Sequence, residues 1–195
     1  MTLLLERWRQ VKDGLGHVVL LSGDAGLGKS RLVQREAILA HLLEAHDALG
    51  FTLCFLGNYT AAWTHLEQGI ALTDATMQRV QAPRHGEAPG MRVLGIAANT
   101  LWCLGYPAQA VQRSQEALAL AQALVHPYSL AFAQHLAAFL HYRRREAPAV
   151  QAQAEALITL ATAQGFALFV GYGTCWHGWA LAMQGQDTAS LEQIR

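Results

Sequence analysis

The stretches "LGNYTAAWTHLEQGIAL", residues 56–72, and "LGYPAQAVQRSQEALAL", residues 104–120, are two copies of one pattern, and "RREAPAVQAQAEALITL", residues 144–160, is a third. The spacings are about 48 and then about 39 residues, and a cut fourth copy, "QGQDTASLEQI", begins at Gln184. In each unit a first apolar helical run ends, at Gly57 or Gly105 for example, and a polar turn follows. A second run then carries small residues such as Ala62 or Ala110 where backbones approach. A helical hairpin of this kind cannot bury its apolar face alone, whereas stacked copies bury a continuous core, so the recurrence predicts a helical solenoid.

Working outward, the apolar period predicts helices over 30–56, 59–74, 91–104, 107–125, 128–144, 147–164, 166–184 and 187–195. Residues 75–90, with "QAPRHGEAPG", read as the one long linker and stretch the first spacing. Composition agrees: 52% of residues are hydrophobic and only 14% charged, rich in Ala, Leu and Gln, without β-branched blocks after the first two dozen residues. Equal acidic and basic counts, 14 each, leave no field to gather nucleic acid or anionic lipid, so neither is an expected partner. No uncharged apolar run approaches the roughly 18 residues of a membrane span, and "MTLLLERWRQ" is too briefly apolar for a signal peptide. Cys54, Cys103 and Cys175 are few, distant and odd in number, which fits buried thiols in a reducing cytoplasm rather than a disulfide framework.

The amino-terminal region has a different grammar. "LLLERWRQVKD", residues 3–13, reads as a short amphipathic helix, "HVVLLSG" as a β-strand, and "KSRLVQREAILAHLL" as a helix. Between strand and helix, Gly23, Asp24, Ala25, Gly26, Leu27, Gly28, Lys29 and Ser30 satisfy G-x-x-x-x-G-K-[ST], the P-loop pattern. Its glycines let backbone N–H groups close around phosphate oxygens, Lys29 would neutralise the β and γ phosphates of ATP, and Ser30 would offer a hydroxyl to Mg²⁺. Catalysis needs more, namely a carboxylate at the end of a second strand and a group that positions water. The nearest match, "GIALTD" ending at Asp74, lies inside the first repeat and reads as helix. One strand also cannot make a parallel sheet. Three alternatives follow: a truncated nucleoside triphosphatase, a degenerate one, or one whose missing part belongs to another chain. The chain is not expected to hydrolyse ATP by itself.

The repeat units resemble tetratricopeptide repeats, in which Leu-Gly ends the first helix, an aromatic or Pro stands two residues on, and Ala recurs in the second helix. "VVLLSGDAGLGKSRLV" resembles the start of the ATPase module of bacterial signalling proteins, the predicted ATPases joined to class III nucleotide cyclase or LuxR-type regulatory domains. The resemblance covers about residues 1–38 and about 45–195. It implies a mainly α protein, an α-solenoid of tetratricopeptide-like helical hairpins with a short N-terminal strand–P-loop–helix segment. It also implies a division into 1–44 and 45–195 and an array that binds a protein or peptide partner. The family's ATPase module continues with Walker B and sensor segments, whereas here the P-loop helix runs almost directly into the first repeat.

"FALFVGYGTCWHGW" places Phe166, Phe169, Tyr172, Trp176 and Trp179 on one side of a helix, with Gly171, Gly173 and Gly178 allowing close approach on others. The stripe reads as packing against neighbouring helices, as an aromatic peptide-binding groove, or as a docking face for a following repeat. Arg143, Arg144 and Arg145 end a helix, as a solvated terminus or a contact for an acidic partner. His41 and His46, five apart, and His135 and His141, six apart, do not share helix faces, so no structural metal is expected. Cys175, Trp176 and His177 point in different directions on a helix, against nucleophilic catalysis. "SLEQIR" stops inside a helical pattern with no polar cap, so the expectation is that the polypeptide either continues or self-associates at that end.

Overall fold

The structure, a computed structural model, describes residues 29–73 and 88–185. By contacts the chain forms two units, Met1–Ile38 and Leu39–Arg195. Of the first, only the helical backbone of residues 29–38 is described. The second is all-helical among its described residues.

The helices are α1 (Lys29–Phe55), α2 (Tyr59–Leu72), α3 (Pro89–Cys103), α4 (Pro107–Ala123), α5 (Pro127–Arg143), α6 (Ala147–Gln164) and α7 (Ala167–Met183). Each described boundary falls within two residues of the sequence expectation, and "GIAL" before Asp74 is helix, in α2. The linker expected over 75–90 is shorter at its end. Pro89 opens α3 at a position where its missing N–H costs nothing, and the buried Ala88 N–H donates to Ser129 Oγ at 3.1 Å. The helices expected over 3–13 and 187–195 and the "HVVLLSG" strand lie outside the described residues.

One turn geometry sets the register. Gly57, Gly105, Val125, Arg145, Gly165 and Gly185 all adopt positive φ, and the last five stand twenty residues apart. At Gly105 the glycine N–H bonds to Trp102 O at 3.1 Å and the Tyr106 N–H to Leu101 O at 2.9 Å, which satisfies two orphan carbonyls of α3. Gly57 with Asn58, and Arg145 with Glu146, repeat the arrangement. The residue after the left-handed one serves as N-cap of the next helix, and Pro107 and Pro127 follow directly. A connection this short turns the chain back antiparallel. Two such segments make a hairpin of forty residues, one more than the repeat alignment suggests.

Consecutive helices pack together from α2 to α7, and α3, α5 and α7 additionally touch in the order α3–α5–α7. The second helix of each hairpin turns one narrow face inward. Ala62, Leu66 and Gly69 are buried on α2, Ala110, Ser114, Ala117 and Ala121 on α4, and Val150, Ala154, Leu157 and Ala161 on α6. These are the same i, i+4, i+7, i+11 places in successive copies, which is why the alanines recur. Opposite them, the first helices carry Gly50, Ala98, Ala138 and Gly178, small and buried in every unit. A Cβ on Gly173 would lie 2.6 Å from Ile158 Cγ1 and 3.3 Å from the Ala154 carbonyl, so α6 and α7 meet almost backbone to backbone there. Gly171 has open space where a Cβ would stand, so only one of these two glycines serves close approach. Among the described residues no helix is long and apolar enough to cross a membrane.

Candidate functional site

The two places singled out by sequence differ in what can be described. Gly23, Asp24, Ala25, Gly26, Leu27 and Gly28 lie outside the described residues. Lys29 and Ser30 are the first two residues of α1, known here as backbone only.

The aromatic stripe is described in full. Phe166 caps α7, and Phe169, Tyr172, Trp176 and Trp179 follow along it facing α5. There they meet a second row that sequence reading missed: Tyr128, Phe132, His135, Phe139 and Tyr142, at alternating four- and three-residue steps. That spacing within "PYSLAFAQHLAAFLHYR" was the available signal. Tyr128 stands edge-on to Phe166 and Phe169, at centroid distances of 5.4 and 5.1 Å. His135 stacks on Tyr172 at 4.3 Å, Phe139 on Trp176 at 5.8 Å, and Tyr142 meets Trp179 edge-on at 4.9 Å. Edge-on and offset pairs of this kind add about 0.5–1.5 kcal/mol each beyond their buried area.

One polar link locks the zipper. The Trp176 indole N–H donates to His135 Nδ1 at 3.1 Å, so the imidazole is neutral with its proton on Nε2. Burial favours the same state and pushes the His135 pKa down to about 4. Phe169, at 1% exposure, belongs wholly to the core, whereas Tyr142 and Tyr172 keep 37% and 38% of their surface open. The inner rings are therefore helix packing, and the outer rings border solvent.

The α3, α5 and α7 segments contain no Asp or Glu, while α5 ends in Arg143. Arg143 lies with its guanidinium 4.3 Å above the Phe139 ring. Arg144 pairs with Glu146 at 2.5 Å and sits 5.8 Å from the Trp102 ring. The Arg144 hydrogen bond holds the Glu146 carboxyl down to about 2 against partial desolvation, with His141 assisting at 2.7 Å. Only Arg145 of the triplet is exposed, so the solvated-terminus expectation fits that residue and not its neighbours.

Histidines do approach each other once, where His46 Nδ1 and His65 Nδ1 lie 3.1 Å apart between α1 and α2, a juxtaposition invisible in spacing along the chain. No group of three His, Cys, Asp or Glu able to hold a metal occurs among the described residues. Comparison with protein-family models and with curated proteins gives no match. Any functional reading therefore rests on the chain's own geometry.

Proposed function

We propose that residues 45–195 form a tetratricopeptide-like α-solenoid that acts as a protein-interaction scaffold, the repeat region of a bacterial signal-transduction ATPase. In this reading "GDAGLGKS" is a vestigial nucleotide loop and the protein works in the cytoplasm. The observation that carries the proposal is the α3–α5–α7 row: half-open rings at Tyr142 and Tyr172, half-buried Phe139, Trp176 and Trp179 between them, and no carboxylate on any of the three helices. Such a strip offers flat aromatic surface at small entropic cost, the composition that dominates binding hot spots. The repeating turn at twenty-residue intervals supports the solenoid. Its forty-residue hairpin exceeds the roughly 34 residues of a tetratricopeptide repeat, and the excess lies in helices of 17 or 18 residues.

The test is selection of linear peptides on the purified chain, followed by fluorescence-polarisation titration of the winners. Tyr142→Ala and Tyr172→Ala should each weaken binding about tenfold, whereas Gln112→Ala on the exposed face of α4 should leave it unchanged. Peptides that bind equally well to all three variants would refute the strip as the site. A second reading keeps the enzyme-related class open, because every P-loop position from Gly23 to Ser30 is filled as the motif requires. It is an ATP-binding switch whose site another chain completes, and it predicts nucleotide binding only after that partner is added.

A further inference from the structure

The outer side of α1 breaks the pattern of the other helices. Leu43, Asp47 and Gly50 are buried on one side; Ala45, Leu49 and Thr52, two residues after each and about 200° round the helix, are exposed. Leu42 and Leu56 extend that row, and the Leu56 N–H still bonds to Thr52 O at 3.0 Å, one step past the helix. Of the residues exposed from 41 to 56, none is Asp, Glu, Lys or Arg. Elsewhere the solvent side is polar: α2 presents Thr64 and Glu67, α4 Gln112 and Gln115, and α6 Glu155 and Thr159. A helix that is apolar on both sides is one that packs on both sides.

The later repeats show what this side does. Counting back twelve and five residues from each left-handed turn residue gives Ala45 and Thr52 in α1, Val93 and Thr100 in α3, Ala133 and Leu140 in α5, and Gly173 and Ala180 in α7. All but the first pair are buried. The second helix of the preceding hairpin covers them. A Cβ on Gly69 of α2 would lie 3.1 Å from Val93 Cγ1, Ala133 clusters with Ala117 and Ala121 of α4, and Gly173 lies against Ala154 and Ile158 of α6.

The residues on α1 suit a different neighbour. Eight residues before the turn, α3 and α5 carry the small Ala97 and Ala137, whereas α1 carries Leu49. Leu42, Leu49 and Leu56 recur at seven-residue steps with Ala45 and Thr52 between them, the spacing of a coiled-coil seam. The seam is self-complementary. In an antiparallel pair with its twofold axis at Leu49, Leu42 meets Leu56 of the second copy, Ala45 meets Thr52, and Leu49 meets its own counterpart. A face without formal charge brings no like charges together. Leu42, Leu49, Phe55 and Leu56 are between 43% and 75% exposed. With the smaller residues they open on the order of 500 Å² per copy, so a pair buries about 1,000 Å² in total, the threshold of a specific contact.

We propose that the outer face of α1 is a self-association seam through which two copies of this chain pair antiparallel about Leu49. The contact is marginal in area, so the pair forms and separates with concentration. The aromatic row between α5 and α7 takes no part in the seam, and a dimer therefore offers that row twice.

The experiment follows the full chain by sedimentation equilibrium from about 1 to about 100 µM, the range in which so small an interface dissociates. The parent should approach twice the 21.2 kDa of one chain at the upper end and fall toward one chain at the lower. Leu49→Glu should stay monomeric throughout with unchanged helicity by circular dichroism, because that side chain is already half open to water. In a Cys175→Ser background, which removes the one exposed native thiol, Leu49→Cys should oxidise to a dimer whose tryptic fragments join residue 49 to residue 49. A parent that stays monomeric at the highest concentration, the result expected if the chain covers its own seam, would overturn the proposal. So would a dimer indifferent to Leu49→Glu, or a dimer without the 49-to-49 link.

Discussion

The contact between α1 and α3 and the contact between α5 and α7 occupy the same place in the repeat and are built from opposite chemistry. Asp47 and His135 each stand ten residues before a left-handed turn residue, Gly57 and Arg145, while Arg92 and Tyr172 each stand thirteen before Gly105 and Gly185. In the first contact Asp47, at 1% exposure, accepts from Arg92 Nε at 2.6 Å. In the second His135 stacks on Tyr172. Between them, at the α3–α5 contact, Gly95 leaves room that Leu136 fills, and Asn99 Nδ2 donates to the Leu136 carbonyl at 3.3 Å. A common backbone scaffold thus accepts an ion pair, a glycine–leucine contact or a ring stack. The backbone is set by the turns and the small-residue face, and these remaining positions are released for specificity.

The comparison can be broken most forcefully at the aromatic end. Phe169→Ala removes a fully buried ring that touches Tyr128 and Phe132, and should cost about 4 kcal/mol in urea unfolding. At the other end, Asp47→Ala removes the buried carboxylate that accepts from Arg92 Nε. Because the Arg92 side chain keeps 29% exposure it can rehydrate, so the loss should be about 2–3 kcal/mol. If Phe169→Ala proved the milder of the two, the aromatic contact would not be the stronger junction.

Acid should separate the contacts without mutation. His135 titrates near 4 when folded and near the ordinary 6.5 when unfolded, so between those values the unfolded chain takes up a proton that the folded chain refuses. Its contribution is complete above about pH 6.5 and is lost as pH falls toward 4. After allowance for partial exposure the loss is roughly 2 kcal/mol. The stability difference between the parent and His135→Gln should shrink by that amount from pH 7 to pH 4. A difference independent of pH would contradict the neutral, buried imidazole.

The smallest effect sharpens the shared element. Val125 holds a φ of 51°, where a β-branched side chain is strained, at the place that Gly105 and Gly165 fill in the neighbouring turns. Val125→Gly should therefore raise stability by about 1 kcal/mol despite deleting an apolar side chain, since Val125 is 87% exposed. A lower melting temperature for that variant would mean the turn is not under strain.

Much of the backbone plan was legible because it is written in local chemistry. Leu-Gly at 56–57 and 104–105, Pro at 107, and alanines at repeated offsets announce helix ends, starts and close faces without reference to distant residues. The turns at Val125 and Arg145 were harder, since neither residue type advertises a left-handed conformation, yet the repeat carried the register across them. Contacts between helices were mostly illegible. Phe166, Phe169, Tyr172, Trp176 and Trp179 could be placed on one face, but their partners on α5 sit roughly forty residues away. His46 and His65 belong to different helices, so no spacing rule along a single helix connects them.

We propose that this chain works through the helical row and not through the phosphate-loop motif. The most direct test is equilibrium titration of a fluorescent ATP analogue with Mg²⁺ against the full chain and its Lys29→Ala variant. Neither should show saturable binding. Saturable binding to the parent that disappears in Lys29→Ala would contradict this proposal and make residues 23–30 a working nucleotide site.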